Sequence, residues 1–489
     1  MTDTDLRALL PLGPPRREDA IDPRPRRLAL LAVGAGIALD IGIRGGPSNL
    51  AVSVGLVLAA VALSTDGRIV QREARLLVAA ATVPALLLAV RSSGWLAASN
   101  LVAACTLVGL GLLLARSGSV LDVTPRRLLR RTWPAIGRGL SINQVLRPVV
   151  PAVPATGAAI RVLRAALTAL PLLVVLVALL ASGDAVFADL VVPDVGLGPL
   201  SGHLGLVVLF AVGVLSLAAV GRGDADDHVP TGSFGALEVT TMLGLVAAVV
   251  GLFAVSQLVA LTGAGQRLVT SAGLTPSEYA RSGFFQLCWA TAVVVTLLGL
   301  VRALAGPGVM ERRAVRLLAT AVPLLALGLV TVSLRRMALY DQAFGLTLLR
   351  LWVVLAAVWM GSVLVMMAAR DLGLLARRDW MVAGAAASAG AILLVTNAAN
   401  PEALVLRHNV DRAAAGAALD VEYLRVLGDD ALPALADQIA SVEDGALAQQ
   451  LLAAVPCGST DGVAALNLAA VLADGARLSL CSGSVAGTP

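Results

Sequence analysis

The chain has 489 residues, of which 58% are hydrophobic and only 14% are charged, and its mean hydropathy is +0.86. A soluble globular domain is about 25% charged, so this composition excludes a chain whose surface is covered mainly by water. The net charge is +5, and all 37 basic residues are arginine. These arginines lie between apolar runs, which is typical of orientation in a lipid bilayer and not of nucleic-acid binding.

Residues 1–27 form a polar segment that is rich in arginine and proline. The segment has no apolar core followed by a small-residue cleavage site, so no cleavable signal peptide is predicted. We expect a cytosolic leader that precedes an uncleaved first membrane helix.

Long apolar runs recur from residue 28 to residue 396. A spanning helix needs about 20 mostly apolar residues, and these runs lack the alternation of barrel strands. The sequence therefore predicts an all-α fold, a polytopic transmembrane helix bundle of about 11 spans. The second and third runs are short and are alternatively a re-entrant pair. The predicted spans are 28–43, 50–63, 76–90, 96–115, 165–181, 204–220, 237–261, 284–304, 317–334, 346–369 and 381–396.

The distribution of arginine predicts the orientation of the bundle. With a cytosolic N-terminus, the inner segments hold 26 arginines and the outer loops hold six. Because cytoplasmic loops carry the excess of positive charge, the N-terminus is predicted inside and the C-terminus outside. Asp40 and Arg44 lie four residues apart at the outer end of the first helix, where they can pair.

The longest predicted inner loop, 116–164, is basic and rich in proline. A basic segment beside anionic headgroups is expected to lie on the membrane surface. It serves either as an anchor for the orientation or as a docking site for a cytosolic partner, and the sequence favours the anchor.

The segment 397–489 is polar enough to be a small helical domain on the extracytoplasmic side. Asn400 is predicted to cap a helix that begins at Pro401, with Glu402 near its positive end. Further helices are predicted at 419–427, 431–455 and 463–472, with Gly416 and Gly428 as stops.

Two cysteines, Cys457 and Cys481, lie 24 positions apart in this tail. An extracytoplasmic compartment is oxidising, so we predict that they form a disulfide. About ninety residues make a small core, which a covalent link would stabilise.

Two polar segments at the predicted outer face suggest one network of charged and aromatic side chains. In the first, Thr275, Pro276 and Glu278 form a capping box at the start of the eighth span. The second follows the ninth span, and its Arg350 lies a turn inside the tenth, where a charge needs a partner or a route to water. The candidate network comprises Glu278, Tyr279, Arg281, Arg336, Tyr340, Asp341 and Arg350.

Signatures of enzyme active sites are absent from the sequence. We find no phosphate-binding loop, zinc-protease motif or nucleophile elbow. His203, His228 and His408 lie on different predicted segments, whereas a metal site needs several ligands close together. No catalytic residue, metal or cofactor is assigned.

Several segments resemble a bacterial multi-pass membrane family that is known only as a domain of unknown function. The family is identified as number forty-one seventy-three, which is related to forty-one fifty-three. The resemblance spans roughly residues 165 to 440 and implies location and architecture without an activity. The segments are 279–287 (YARSGFFQL), 336–350 (RMALYDQAFGLTLLR), Asn400-Pro401, 409–412 (NVDR), 419–424 (LDVEYL) and 430–435 (DALPAL).

Three functions are compatible with this sequence. The first is a plasma-membrane scaffold or sensor whose outer tail binds a protein of the cell envelope. The second is a small-molecule transporter, which the number of spans and the prolines at 84, 171 and 323 would suit, although such prolines also occur in other helices. The third is an intramembrane enzyme that holds the phosphate of a lipid-linked substrate with outer arginines.

Overall fold

The computed structural model describes residues 24–44, 48–65, 69–124, 235–260, 308–374, 380–457 and 466–485, with most of 287–306 and a few single residues elsewhere. Within these ranges the chain is helical and has no β-strand, which confirms the all-α prediction for the described part. The predicted spans 165–181 and 204–220 and most of the loop 116–164 lie outside these ranges.

The first group of helices is built from short apolar segments. Helices α1 and α2 pack against each other along their length, and α3 packs on α5. As predicted from its spacing, Asp40 accepts an ion-pair contact from Arg44 at 3.1 Å. The helices are α1 (Arg24–Arg44), α2 (Leu50–Thr65), α3 (Arg72–Ala80), α4 (Thr82–Leu87) and α5 (Gly94–Leu113).

The predicted third span, 76–90, is wrong as a single helix. It is divided between α3 and α4, with the break at Ala81. Pro84 has no N–H to donate to the carbonyl of Ala80, and its ring crowds that carbonyl, so the helix is interrupted one turn before the proline.

The second group contains α6 (Ala236–Ala260), α7 (Ala290–Gly299), α8 (Arg313–Phe344) and α9 (Leu348–Asp371), followed by α10 (Met381–Ala399). Their buried apolar residues form one core, to which α6, α7, α8 and α9 all contribute. Helix α10 packs on α9 and also contacts α5, so it joins the two groups.

Helix α8 is longer than the sequence predicted. It has 32 residues and would extend for about 48 Å, whereas a bilayer core is about 30 Å thick. The segment after Leu334 was expected to be a loop, but it remains helical to Phe344. Gly345 then adopts a φ of 75°, and Thr347 caps α9, which makes a tight antiparallel turn.

Four of the described helices, α5, α8, α9 and α10, are long and apolar enough to cross a membrane. Helices α2 and α7 are apolar but shorter. The apolar helices indicate a membrane-embedded protein, while the count of about 11 spans and the orientation stay predictions.

The tail, residues 400–485, folds into short helices around a core of its own. Its first helix begins at Pro401 with Asn400 as cap, as predicted. The expected helix 431–455 is wrong, because the chain turns at 442–444 and Asp444 caps a new helix. The last helix begins at 468, not 463, and continues to 485. The helices are α11 (Pro401–Ala414), α12 (Val421–Arg425), α13 (Leu432–Ser441), α14 (Gly445–Ala453) and α15 (Leu468–Val485).

A disulfide joins Cys457 to Cys481 in the structure, as the sequence predicted. The bond links the segment after α14 to the C-terminal half of α15. It therefore closes the tail upon itself and makes no link to the helix bundle.

Candidate functional site

The tail lies across one end of the helix bundle, which we call the tail end. Three loops of the bundle meet it there: the loop before α2, the loop between α4 and α5, and the loop between α8 and α9. These contacts involve both groups of helices. Trp95 of α5 and Trp352 of α9 also stack near this end, with ring centroids 6.2 Å apart.

Asn409 of α11 holds the loop between α8 and α9. Its amide nitrogen donates to the carbonyl of Leu346 at 2.8 Å, and its amide oxygen accepts from the N–H of Leu346 at 3.0 Å. One side chain thus satisfies both backbone groups of a loop residue, which has no helical partner for them. A Cβ on Gly345 would lie 2.4 Å from the Asn409 amide oxygen, so the close approach requires glycine.

Two more tail residues bind the same loop. The N–H of Leu348 donates to the hydroxyl of Tyr423 at 2.7 Å, and Arg412 donates to the carbonyl of Gln342 at 2.9 Å. Burial is the main cause that raises the pKa of Tyr423, so its hydroxyl stays protonated and can both accept and donate.

Asp430 binds the loop between α4 and α5. Its carboxylate accepts from the N–H groups of Ser92 and Ser93, at 2.7 and 2.9 Å, and from Arg91 at 3.3 Å. The Asp430 residue is only 3% exposed. The carboxylate therefore neutralises an arginine and satisfies the free N–H groups at the start of α5.

Asparagines extend this junction into the bundle. Asn397 of α10 and Asn100 of α5 exchange hydrogen bonds through their side-chain amides, both at 3.1 Å. Asn400 caps α11 in the left-handed conformation, with a φ of 52°, and donates to the carbonyl of Asp430 at 2.8 Å. The two reciprocal bonds between Asn397 and Asn100 fix the rotation of α10 against α5, because both of these amides are buried.

Glu402 is a second buried carboxyl group at the junction, only 4% exposed. Burial, with a smaller contribution from the nearby charge of Asp430, raises the pKa of Glu402 to about 7. Ser93 and the backbone of Gly428 lie close enough to offset part of this rise. Around neutral pH, the carboxyl group of Glu402 is thus partly protonated.

Asn467 holds the third loop. Its amide donates to the carbonyl of Ser48 at 2.8 Å, and its oxygen accepts from the N–H of Ala470 at 2.7 Å, so it also caps α15. Beside it, the N–H of Leu50 donates to the carbonyl of Leu466 at 2.9 Å. The start of α15 is thereby joined to the start of α2.

The predicted polar network is only partly within the described residues, because Glu278, Tyr279 and Arg281 lie outside them. Of the other members, the guanidinium of Arg350 lies over the ring of Tyr340, 4.3 Å from its centroid. Arg350 also donates to the carbonyl of Gly345, in the turn before α9. Arg336 lies on the same helix as Tyr340, one turn earlier. The network as a whole remains a prediction.

Asp341 is a predicted counter-charge for the arginines, and its contact in the structure is with a histidine. Its carboxylate lies 3.1 Å from Nε2 of His408 in α11. This histidine had no assigned role in the sequence. Asp341 therefore joins α8 to the tail and does not neutralise Arg350 directly.

A buried ion pair at the opposite end of the bundle was missed by sequence reasoning. Arg302 follows α7 and contacts Asp371, the last residue of α9, while Met367 lies beside it. Both residues are mostly buried. The predicted span 284–304 has Arg302 near its inner end, and only this charge close to the end of an apolar run signalled the site. Among the described residues no cluster of metal-ligating side chains occurs.

The apolar helices and the docked tail define a helical membrane protein with an attached helical domain. A family model matches residues 77–438, and the chain belongs to that family, described as a domain of unknown function, DUF4153. The number forty-one seventy-three given above is thus not confirmed, whereas the related number is; the match includes α4 to α10 and Asp430 but not α1 and α2. No curated protein and no solved structure matches the chain.

Proposed function

We propose that the protein is a multi-pass membrane sensor or scaffold of the bacterial plasma membrane. In this proposal the tail is extracytoplasmic, binds a protein of the envelope, and transmits the binding to the ends of the spanning helices. The observation that carries it is the binding of one tail to three loops from two helix groups, through Asn409, Asp430 and Asn467.

A tail joined to the bundle only through Asn400 would move independently of it. This tail instead uses buried polar side chains to satisfy the backbone groups of the loops. Moving the tail leaves those groups without partners, and each such loss costs about 1–3 kcal/mol. A partner that shifts the tail must therefore also shift the loops or break these bonds.

The orientation is supported by the arginine distribution, since 26 arginines lie in the segments predicted inside and six in the outer loops. Alkaline phosphatase is active only outside the cytoplasm, where its disulfides form. A fusion after residue 489 should be active, and a matched fusion after residue 67 should be inactive. The reverse pattern would place the tail in the cytosol and end the proposal of an envelope partner.

Coupling between tail and bundle can be tested with an antibody fragment selected against the tail as a surrogate partner. Its binding to the full-length protein in nanodiscs should change amide hydrogen exchange in the loops 88–93 and 345–347. In the Asp430→Ala variant the change in the first loop should be lost. Changes confined to the tail in the unaltered protein would mean that the tail does not transmit binding.

No feature of the described residues favours the transporter or the enzyme acting on lipid-linked substrates over this proposal. The paired buried carboxyl groups, Glu402 and Asp430, lie where the tail meets the bundle. A proton-coupled transporter would need such groups near the middle of the membrane.

A further inference from the structure

Helix α15, Leu468–Val485, is amphipathic, but its large apolar side chains face outward and its inward face carries small and charged residues. The positions at i, i+3, i+4, i+7 and i+10 from residue 468 lie on one face of a helix. This outward face, defined by Leu468, Val471, Leu472, Gly475 and Leu478, is apolar apart from the exposed Ser479, and its large side chains are exposed by 50, 52, 54 and 73%. Large apolar residues are therefore on the outside of a domain that has its own core.

The inward face of α15 carries small and charged residues instead. Ala469, Ala470 and Ala473 are buried, and the third forms part of the core of the tail. Arg477 also points inward, where it contacts Asp429 and lies 2.7 Å from Asp474. A single exposed leucine is common on protein surfaces. Several large apolar side chains on one helix face, opposite buried alanines, instead indicate a surface that binds another apolar surface.

The position of α15 indicates what covers this face. Its first N–H groups, of Leu468 and Ala469, donate to the carbonyls of Ala89 and Val90, which follow α4 at the tail end of the bundle. Nine residues and about 13 Å further along, Arg477 contacts Asp429, whose neighbour Asp430 binds the loop before α5. Helix α15 is thus held to the helix ends directly at its start and, nine residues on, indirectly through Asp429 of the tail.

The helix ends that α15 touches carry outward apolar side chains of their own. Leu50 at the start of α2 is 47% exposed, and Leu86 near the end of α4 is 54% exposed. In a membrane-embedded bundle such side chains face lipid, so an apolar face that begins beside them continues the same surface. The outward face has no arginine, so it offers nothing specific to an anionic headgroup.

We infer that α15 lies in the leaflet at the tail end of the bundle, with its outward face at the boundary between headgroups and acyl chains. A helix of this kind buries its apolar face about 5–10 Å into that boundary. The occupant is phospholipid, recognised through its acyl chains and not through its headgroup charge. The inference does not depend on a protein partner for the tail.

The test uses the full-length protein in nanodiscs, with the photo-crosslinking amino acid p-benzoylphenylalanine placed at one position at a time. The test positions are Leu472 and Leu478. The lipid-facing control is Val102 of α5, which is 65% exposed, and the water-facing control is Gln449, an exposed residue of α14. After irradiation, mass spectrometry measures the fraction of protein that carries a phospholipid adduct.

At both test positions we expect an adduct yield within about threefold of that at Val102 and at least tenfold above that at Gln449. The yield should be the same in phosphatidylcholine and in phosphatidylglycerol nanodiscs. Yields equal to the Gln449 control, or crosslinks to a second copy of the chain, would overturn the inference. Adducts confined to phosphatidylglycerol would also overturn it, because charge and not apolar burial would then hold the helix.

Discussion

Asp430 accepts a hydrogen bond from the N–H of Ser93, a residue 337 positions earlier in the chain, at 2.9 Å. The bond joins the tail to the start of α5. Because the carboxylate also neutralises Arg91, its loss should affect two distant segments at once.

We expect Asp430→Ala to weaken tail docking by about 3 kcal/mol, since it removes the counter-charge of Arg91 and leaves two backbone N–H groups without their acceptor. Hydrogen exchange in nanodiscs should accelerate in both 88–93 and 428–432. The matched control is Asp437→Ala, an exposed aspartate of α13. Equal exchange in the two variants would show that the Asp430 contact contributes nothing to docking.

Gly345→Ala should also release the tail, for a steric reason. The new Cβ would lie 2.4 Å from Asn409 and 2.6 Å from Arg412, on a backbone with a φ of 75°. Gly373 has nearly the same φ, 74°, and nothing within 4 Å of its Cβ, so Gly373→Ala measures backbone strain alone.

The apparent Tm of Gly345→Ala should therefore fall below that of Gly373→Ala, by an amount equivalent to about 2 kcal/mol. Asn409→Ala should lower the apparent Tm less in the Gly345→Ala background than in the original protein, since it also removes one of the two clashes. If the two glycine variants have the same apparent Tm, the close approach of Asn409 and Arg412 to residue 345 does not affect stability.

Docking of the tail should weaken as the pH rises through the pKa of Glu402. Its pKa is raised from 4.5 to about 7 in the docked state, so the docked state binds more protons between these values. Docking is then strongest at low pH and loses free energy up to about pH 7. Asp430 and Asp429 are the charges that act on this group, and Arg91 pairs with Asp430.

Glu402→Gln should remove this pH dependence and stabilise docking at pH 8 by roughly 1–3 kcal/mol, with little effect at pH 5. Hydrogen exchange of 400–432 at several pH values measures it. The control, Glu422→Gln, changes a carboxylate with 81% of its side chain exposed. A pH profile that is unchanged by Glu402→Gln would show that this residue does not govern docking.

Replacing both Arg302 and Asp371 should destabilise the protein less than replacing either residue alone. Each single change, Arg302→Met or Asp371→Leu, leaves a buried charge without its partner and should cost about 3–5 kcal/mol. The double variant should lie much closer to the original protein, because two apolar side chains of similar size replace the pair. Additive losses in apparent Tm would contradict the assigned contact.

The sequence determined the features that depend on neighbours along the chain. Apolar runs specified the helices and the membrane, Asn400 and Pro401 specified the start of α11, and the spacing of Asp40 and Arg44 specified their ion pair. These signals are local because capping, helix periodicity and steric exclusion act over about four residues. The disulfide between Cys457 and Cys481 was also predictable from the sequence, because the tail was predicted to be extracytoplasmic.

Only the tertiary structure decided which distant groups meet. Nothing in the sequence around Asp430 distinguishes it from Asp429, yet the first binds Ser93 and the second binds Arg477. The exposure of the apolar face of α15 was equally unpredictable from the sequence, since a stripe of leucines normally predicts the buried side of a helix. Both outcomes depend on how the helices are placed in space, which fixes the partner and the surroundings of each side chain.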